Sequence, residues 1–189
     1  LRVAPHTYDN ACDAACNGCG AGRTPADHVY DHEFDVDCNE CGAVREMAET
    51  PVDFGGNSVS EDVSGLAARF TINVDGLAIK EGTKTVADYS NATVDGYKLV
   101  SMGAVASNNG SVPTMETVNG DDVVNIPAVY LCNLTETSAS YAVRIIEIPS
   151  EHYDAVIHAR PYIIIELDGV ETLIYGAMEQ SSFNQANKG

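Results

Sequence analysis

A chain of 189 residues has room for one domain of about 100–150 residues and a smaller companion, and its 44% hydrophobic content excludes global disorder. The formal charge of −18, from 28 acidic and 10 basic side chains, repels phosphate backbones and anionic headgroups, which argues against nucleic acid as a partner. No stretch approaches the roughly 18 apolar residues of a spanning helix, so no membrane insertion is expected.

The first segment, residues 1–46, is set apart by its side chains. Five of the six cysteines lie between Cys12 and Cys41, in a stretch that also carries His6, His28 and His32. A disulfide scaffold scatters its cysteines through the domain that it staples, whereas thiols crowded with imidazoles in one polar stretch point to a metal ion. The segment is also a repeat. A shift of 22 residues superposes His6, Tyr8 and Asp9 on His28, Tyr30 and Asp31, and Asp13 on Asp35. The same shift places Cys16-Asn17 and Cys19-Gly20 on Cys38-Asn39 and Cys41-Gly42, and Arg23 on Arg45. Each copy thus holds a Cys-x-x-Cys-Gly knuckle, in which two thiolates grip one ion and the glycine lets the turn close.

Four ligands are needed per tetrahedral ion. His6, Cys12, Cys16 and Cys19 make one set within the first copy. In the second copy Phe34 stands where Cys12 would fall, but His32 lies two residues earlier, and His28, His32, Cys38 and Cys41 make the other set. This reading expects two zinc ions and leaves no donor of the segment unused. One shared ion held by Cys16, Cys19, Cys38 and Cys41 is an alternative, as is recruitment of His28 by Cys12, Cys16 and Cys19. Oxidation to disulfides, Cys12 with Cys132 among them, is a third. The metal is expected to be structural, because fewer than about thirty residues per copy bury too little apolar surface, and ion binding supplies on the order of 10 kcal/mol. Asp9, Asp13, Asp31, Asp35 and Asp37 fit no EF-hand spacing and read as a solvated face.

The pattern His-x-Tyr-Asp-x-x-Cys-Asp-x-x-Cys-Asn-x-Cys-Gly-x-x-Arg, met from His6 to Arg23, resembles a tandem repeat of secreted and surface proteins of anaerobic Gram-positive bacteria. The second copy departs from it at Phe34. Ala139–Pro149 and Ala159–Tyr162 are similar to a β-rich domain that accompanies such repeats. The resemblance implies an extracellular or cell-surface setting and no particular activity.

Residues 47–65, polar and rich in Gly and Ser, read as a linker. From Leu66 the pattern changes. Leu66, Ala68, Phe70, Ile72 and Val74 alternate with Arg69, Thr71 and Asn73, which predicts a half-buried strand ending at Asp75-Gly76. Further strands are expected over Tyr97–Val105, Val123–Leu131 and Ser140–Ile148, with a short helix or turn in Ser150–His158. Asp168-Gly169 between Tyr162–Leu167 and Val170–Tyr175 predicts a hairpin with a type I′ turn. The chain is therefore expected to be mainly β: a small zinc-binding Cys/His module, then an antiparallel β-sandwich over residues 66–189, immunoglobulin-like as a first guess and a jelly roll as the alternative.

No catalytic constellation stands out. Cys132 with His152 or His158 is the nearest candidate, and Cys132 reads better as an ordinary strand residue. His158 and Arg160 read as a surface pair. The expected function is a non-catalytic structural or adhesive module of a bacterial surface or secreted protein, with a protein or glycan partner. A carbohydrate-binding module, using Tyr30, Tyr89, Tyr97, Tyr130 and Tyr153, is the alternative, and an enzyme accessory domain the second alternative.

Overall fold

The computed structural model describes residues 5–31, 34–35, 37–45, 50–62, 65–79, 92–133, 135 and 137–187. The chain divides into two compact units, Leu1–Glu49 and Thr50–Gly189. His32 and Tyr89 lie outside the described residues. The first unit has only two isolated β-bridges as regular pairing among its described residues, Ala15 with Gly22 and Asp37 with Val44, one in each copy of the repeat.

The second unit is mainly β, with antiparallel pairing throughout. Its strands are β1 (Val52–Asp62), β2 (Gly65–Asp75), β3 (Leu77–Ile79), β4 (Ala92–Val94), β5 (Tyr97–Ser107), β6 (Val123–Pro127), β7 (Ser138–Ile146), β8 (Ile157–Leu167), β9 (Val170–Tyr175) and β10 (Glu179–Ser181). One sheet has the order β1-β2-β7. The other is built on the long central pair β5-β8, with β4 and β6 pairing β5, β3 pairing β4, and β9 and β10 pairing β8.

The stretch expected as a linker is largely strand. β1 pairs with β2 from Val52 opposite Val74 to Asp62 opposite Gly65. Its glycines are a structural device: the register shifts between Phe54 and Gly56, and Gly56 sits at φ 140. A Cβ on Gly55 would lie 2.8 Å from the Asn73 side chain, so this bulge needs glycine for room as well as for backbone freedom. Val52 and Val74 are buried at one end of the pair, and the Phe54 and Phe70 rings lie 5.8 Å apart. β2 shows the expected alternation, with Phe70, Ile72 and Val74 buried and Arg69, Thr71 and Asn73 half-exposed.

Two of the three Asp-Gly pairs make two-residue hairpin turns. Asp168 (φ 51) and Gly169 (φ 82) join β8 to β9, and Asp95 (φ 48) and Gly96 (φ 90) join β4 to β5, both central residues having the positive φ of a I′ turn. The strand expected over Val123–Leu131 ends at Pro127. Proline has no N–H to extend a ladder, and past Ala128, whose N–H bonds Met102 O, the chain leaves β5 for a bridge between Cys132 and Ser140. Within Ser150–His158 only Ser150–His152 forms a 3-10 turn, and β8 begins at Ile157.

Buried side chains from both sheets meet at Tyr141 of β7. Its hydroxyl crosses to the other sheet and donates to Gly103 O of β5 at 2.8 Å and Tyr162 O of β8 at 2.9 Å. A short C-terminal helix, α1 (Phe183–Ala186), is capped reciprocally by Ser182 and Gln185, and Phe183 stacks on Tyr153 with ring centroids 4.2 Å apart. Among the described residues no helix is long and apolar enough to cross a membrane.

Candidate metal centres

The knuckle is built the same way twice. In the first copy the Cys16 N–H bonds Ala21 O and the Gly20 N–H returns to Cys16 O; in the second, Cys38 bonds Ala43 and Gly42 returns to Cys38. Gly20 (φ 71) and Gly42 (φ 67) occupy the left-handed region that closes each turn. The histidine strand is then tied alongside, through Asn17 N–H to Thr7 O and Asn39 N–H to Val29 O. This sets His6 Nδ1 3.2 Å from Cys19 Sγ and His28 Nδ1 3.3 Å from Cys41 Sγ.

The other repeating residues hold this frame. Asp13 accepts from the Asp9 N–H, and Asp35 from the Asp31 N–H. The Asn17 and Asn39 amides donate to the Asp9 and Asp31 carboxylates. Arg23 donates from Nε to Asp13 O while its guanidinium lies 3.8 Å over the Tyr8 ring; Arg45 donates to Asp35 O and lies 3.9 Å over Tyr30. Of the acidic residues read as a solvated face, Asp9, Asp31 and Asp37 are exposed, yet Asp9, Asp13, Asp31 and Asp35 also accept hydrogen bonds from their own copy, and Asp37 joins through its backbone. Their recurrence every 22 residues was the available signal, because a surface charge has no reason to keep register with a thiol.

Two groups of donors could hold metal ions: Cys12, His28, Cys38 and Cys41, and separately His6, Cys16 and Cys19, with the ligand atoms of each group within 4.8 Å of one another. The membership differs from the repeat-local sets. Cys12 leaves the first copy and stands with the second, its Sγ 3.8 Å from Cys38 Sγ. That separation is the edge of a tetrahedron whose metal–sulfur bonds are about 2.3 Å. The second group thereby reaches four donors without His32. The four-thiolate arrangement is not formed either, since the knuckle thiols of the two copies fall in different groups. All six cysteines are free.

The thiols are graded. Backbone N–H groups of Gly18 and Thr7, with a contribution from His6, bring Cys16 down to about 6. Burial works against ionisation at Cys38, but N–H groups of Glu40, Cys41 and Val29 and the His28 ring outweigh it and bring that thiol also to about 6. Cys12 is pushed up to about 12 by burial and by its neighbours Cys41 and Cys38. Cys16 and Cys38 are thus shifted toward the anion, while Cys12 is held toward the thiol beside the sulfurs of Cys41 and Cys38, a penalty that a cation among them relieves.

Elsewhere, Cys132 is held by backbone pairing with Ser140 beside β7, while His158 is on β8 of the other sheet. Arg160 donates to Gly176 O at 3.3 Å and lies 4.1 Å over the Tyr175 ring, which anchors it on β9. Of the tyrosines considered for sugar stacking, Tyr30 lies beneath Arg45 and Tyr153 against Phe183, whereas Tyr130 is 58% exposed. No family model, curated protein or solved structure matches the chain.

Proposed function

We propose that the first unit is a structural zinc module and that the chain serves as a non-catalytic, structural or adhesive part of a bacterial surface or secreted protein. The observation that carries the zinc reading is the convergence of Cys12, His28, Cys38 and Cys41 within 4.8 Å. Three sulfurs and one imidazole are a zinc donor set, and four protein ligands leave no vertex for a substrate or an activated water. The shells around the two groups support a holding role, since their arginines, asparagines and aspartates are engaged in fixing backbone and one another. For the second unit we favour a β-sandwich of immunoglobulin-like kind, supported by the Tyr141 hydroxyl joining the two sheets.

A rigid metal module joined to a β unit suits a spacer or adhesive element whose partner is a protein at the cell surface. The engagement of Tyr30 and Tyr153 in intramolecular stacks counts against a row of rings for sugar. Elemental analysis of protein purified without chelator is the test: two equivalents of zinc are expected. Absence of metal together with disulfide-linked cysteines by mass spectrometry would overturn the zinc reading.

A further inference from the structure

The exchange of Cys12 between copies carries an inference that deepens the zinc reading and rests on it. We propose that the repeat is a relay: a cysteine at the Cys12 position completes the metal site of the copy that follows it, and the His6, Cys16, Cys19 site takes its fourth ligand as a thiolate from the corresponding cysteine of another copy.

Three observations converge on this. His28, Cys38 and Cys41 in the second copy occupy the same places as His6, Cys16 and Cys19 in the first, with matching His–Cys approaches of 3.3 and 3.2 Å. The two sites differ by one donor, and that donor is Cys12, which reaches forward to Cys38 rather than back to Cys16. Second, the chain around Cys12 is fastened by its own copy's arginine. The Arg23 guanidinium donates to Asn10 O and Ala11 O, and the Cys12 N–H bonds the Asn10 side chain, so the first copy presents its thiol as a fixed prong.

Third, Phe34 becomes intelligible. In a repeat-local scheme the second copy lacks a ligand. In a relay, the residue at that position serves the next unit along the chain, and the second copy is succeeded by the β unit rather than by another knuckle. A cysteine there would have no site to complete, and Phe34 is buried instead. The first site, with three donors among the described residues, keeps a vertex of the size and charge preference that Cys12 fills in the second.

The whole chain can be tested with one knuckle disabled at a time. After zinc loading and iodoacetamide treatment, the Cys16→Ser/Cys19→Ser variant should retain one ion with Cys12 protected from alkylation. The Cys38→Ser/Cys41→Ser variant should retain one ion with Cys12 alkylated while Cys16 and Cys19 stay protected. Adding Cys12→Ser should weaken the ion of the former by at least about tenfold and leave that of the latter unchanged. Cys12 protected only alongside Cys16 and Cys19, or alike in both backgrounds, overturns the relay while leaving the zinc reading intact. Loss of metal from both backgrounds and from the parent chain overturns both.

For the open vertex, the Cys12→Ser/Cys38→Ser/Cys41→Ser variant is loaded with cobalt and titrated with a peptide of the sequence Asp-Asn-Ala-Cys-Asp. Growth of the thiolate-to-cobalt absorption to one peptide per ion is expected, with no response to the serine analogue. No response to the cysteine peptide overturns the proposed fourth ligand.

Discussion

Tyr141 concentrates much of the second unit's specificity in one oxygen. It is fully buried, and its hydroxyl proton is shared between the carbonyls of Gly103 and Tyr162, on the two central strands of the opposite sheet. Tyr141→Phe keeps the ring and removes the donor, so both carbonyls lose a partner in a dry site. A loss of about 1–3 kcal/mol is expected in denaturant melts, more than from an exposed tyrosine. The same site sets an alkaline limit. Burial raises the phenol well above its ordinary 10, and Tyr162 adds to the effect. Below pH about 10 the phenol is protonated in both folded and unfolded chains and contributes no pH slope. Above that value the unfolded chain releases the proton while the folded one retains it, so stability falls as pH rises. Stability measured from pH 9 to 11 should therefore decline in the parent and decline less in Tyr141→Phe; equal slopes would show that the alkaline limit lies elsewhere.

At the scale of elements, two glycines separate conformational cost from steric cost. Gly169 lies at φ 82 in the β8–β9 turn, and a Cβ there would meet nothing within 4 Å, so Gly169→Ala should cost only the left-handed backbone penalty, about 1 kcal/mol. Gly103 in β5 has no such conformation, but its Cβ would stand 2.6 Å from Ile126 O and 2.7 Å from the Tyr162 hydroxyl. Gly103→Ala must push apart the β5–β6 and β5–β8 ladders, and about 3 kcal/mol is expected. Urea midpoints of the two variants check the order, and a milder effect at Gly103 would mean that the sheet yields more readily than its packing implies.

These turns also mark what a sequence discloses about elements. Asp168-Gly169 was legible because a two-residue turn and the strands beside it are a local matter. β1 was not, since Gly55, Gly56 and the serines after them carry the composition of a linker, and only the distant Asn73 side chain explains why glycine is needed. The candidate donors were marked by type and period, and His6, Cys16, Cys19, His28, Cys38 and Cys41 all stand in groups that could hold a metal ion. The allegiance of Cys12 was not, because a period records spacing and cannot say whether a side chain serves its own copy or the next. Arg23 shows the consequence. It binds the carbonyls that aim Cys12, so Arg23→Ala should weaken the ion held by His28, Cys38 and Cys41 by about 10–100-fold, a loss that chelator competition would read. A loss confined to the ion of His6, Cys16 and Cys19 would instead tie Arg23 to its own knuckle alone.

For the whole molecule, the two units differ in the apolar burial available to stabilise them. The unit from Thr50 onward buries a continuous apolar core, with Phe70, Ile72, Tyr141, Tyr162 and Ile163 among its fully enclosed side chains. In the unit before it, Phe34 and two cysteines are the only buried hydrophobic residues among those described, so apolar burial cannot balance the entropy of ordering its chain. Ion binding on the order of 10 kcal/mol per structural site can. Charge works in the same direction, since a chain at −18 gains repulsion among thiolates and carboxylates when a dication is withdrawn. Chelation at neutral pH should therefore collapse the amide resonances of residues 5–45 toward random-coil shifts and leave those of residues 52–187 dispersed. Zinc alone should restore the former, and calcium should not, because sulfur and imidazole are poor ligands for so hard a cation. If the first unit stays dispersed without metal, its fold is held by the aspartate, asparagine and arginine frame alone. The ions would then be passengers in it rather than the reason that it folds.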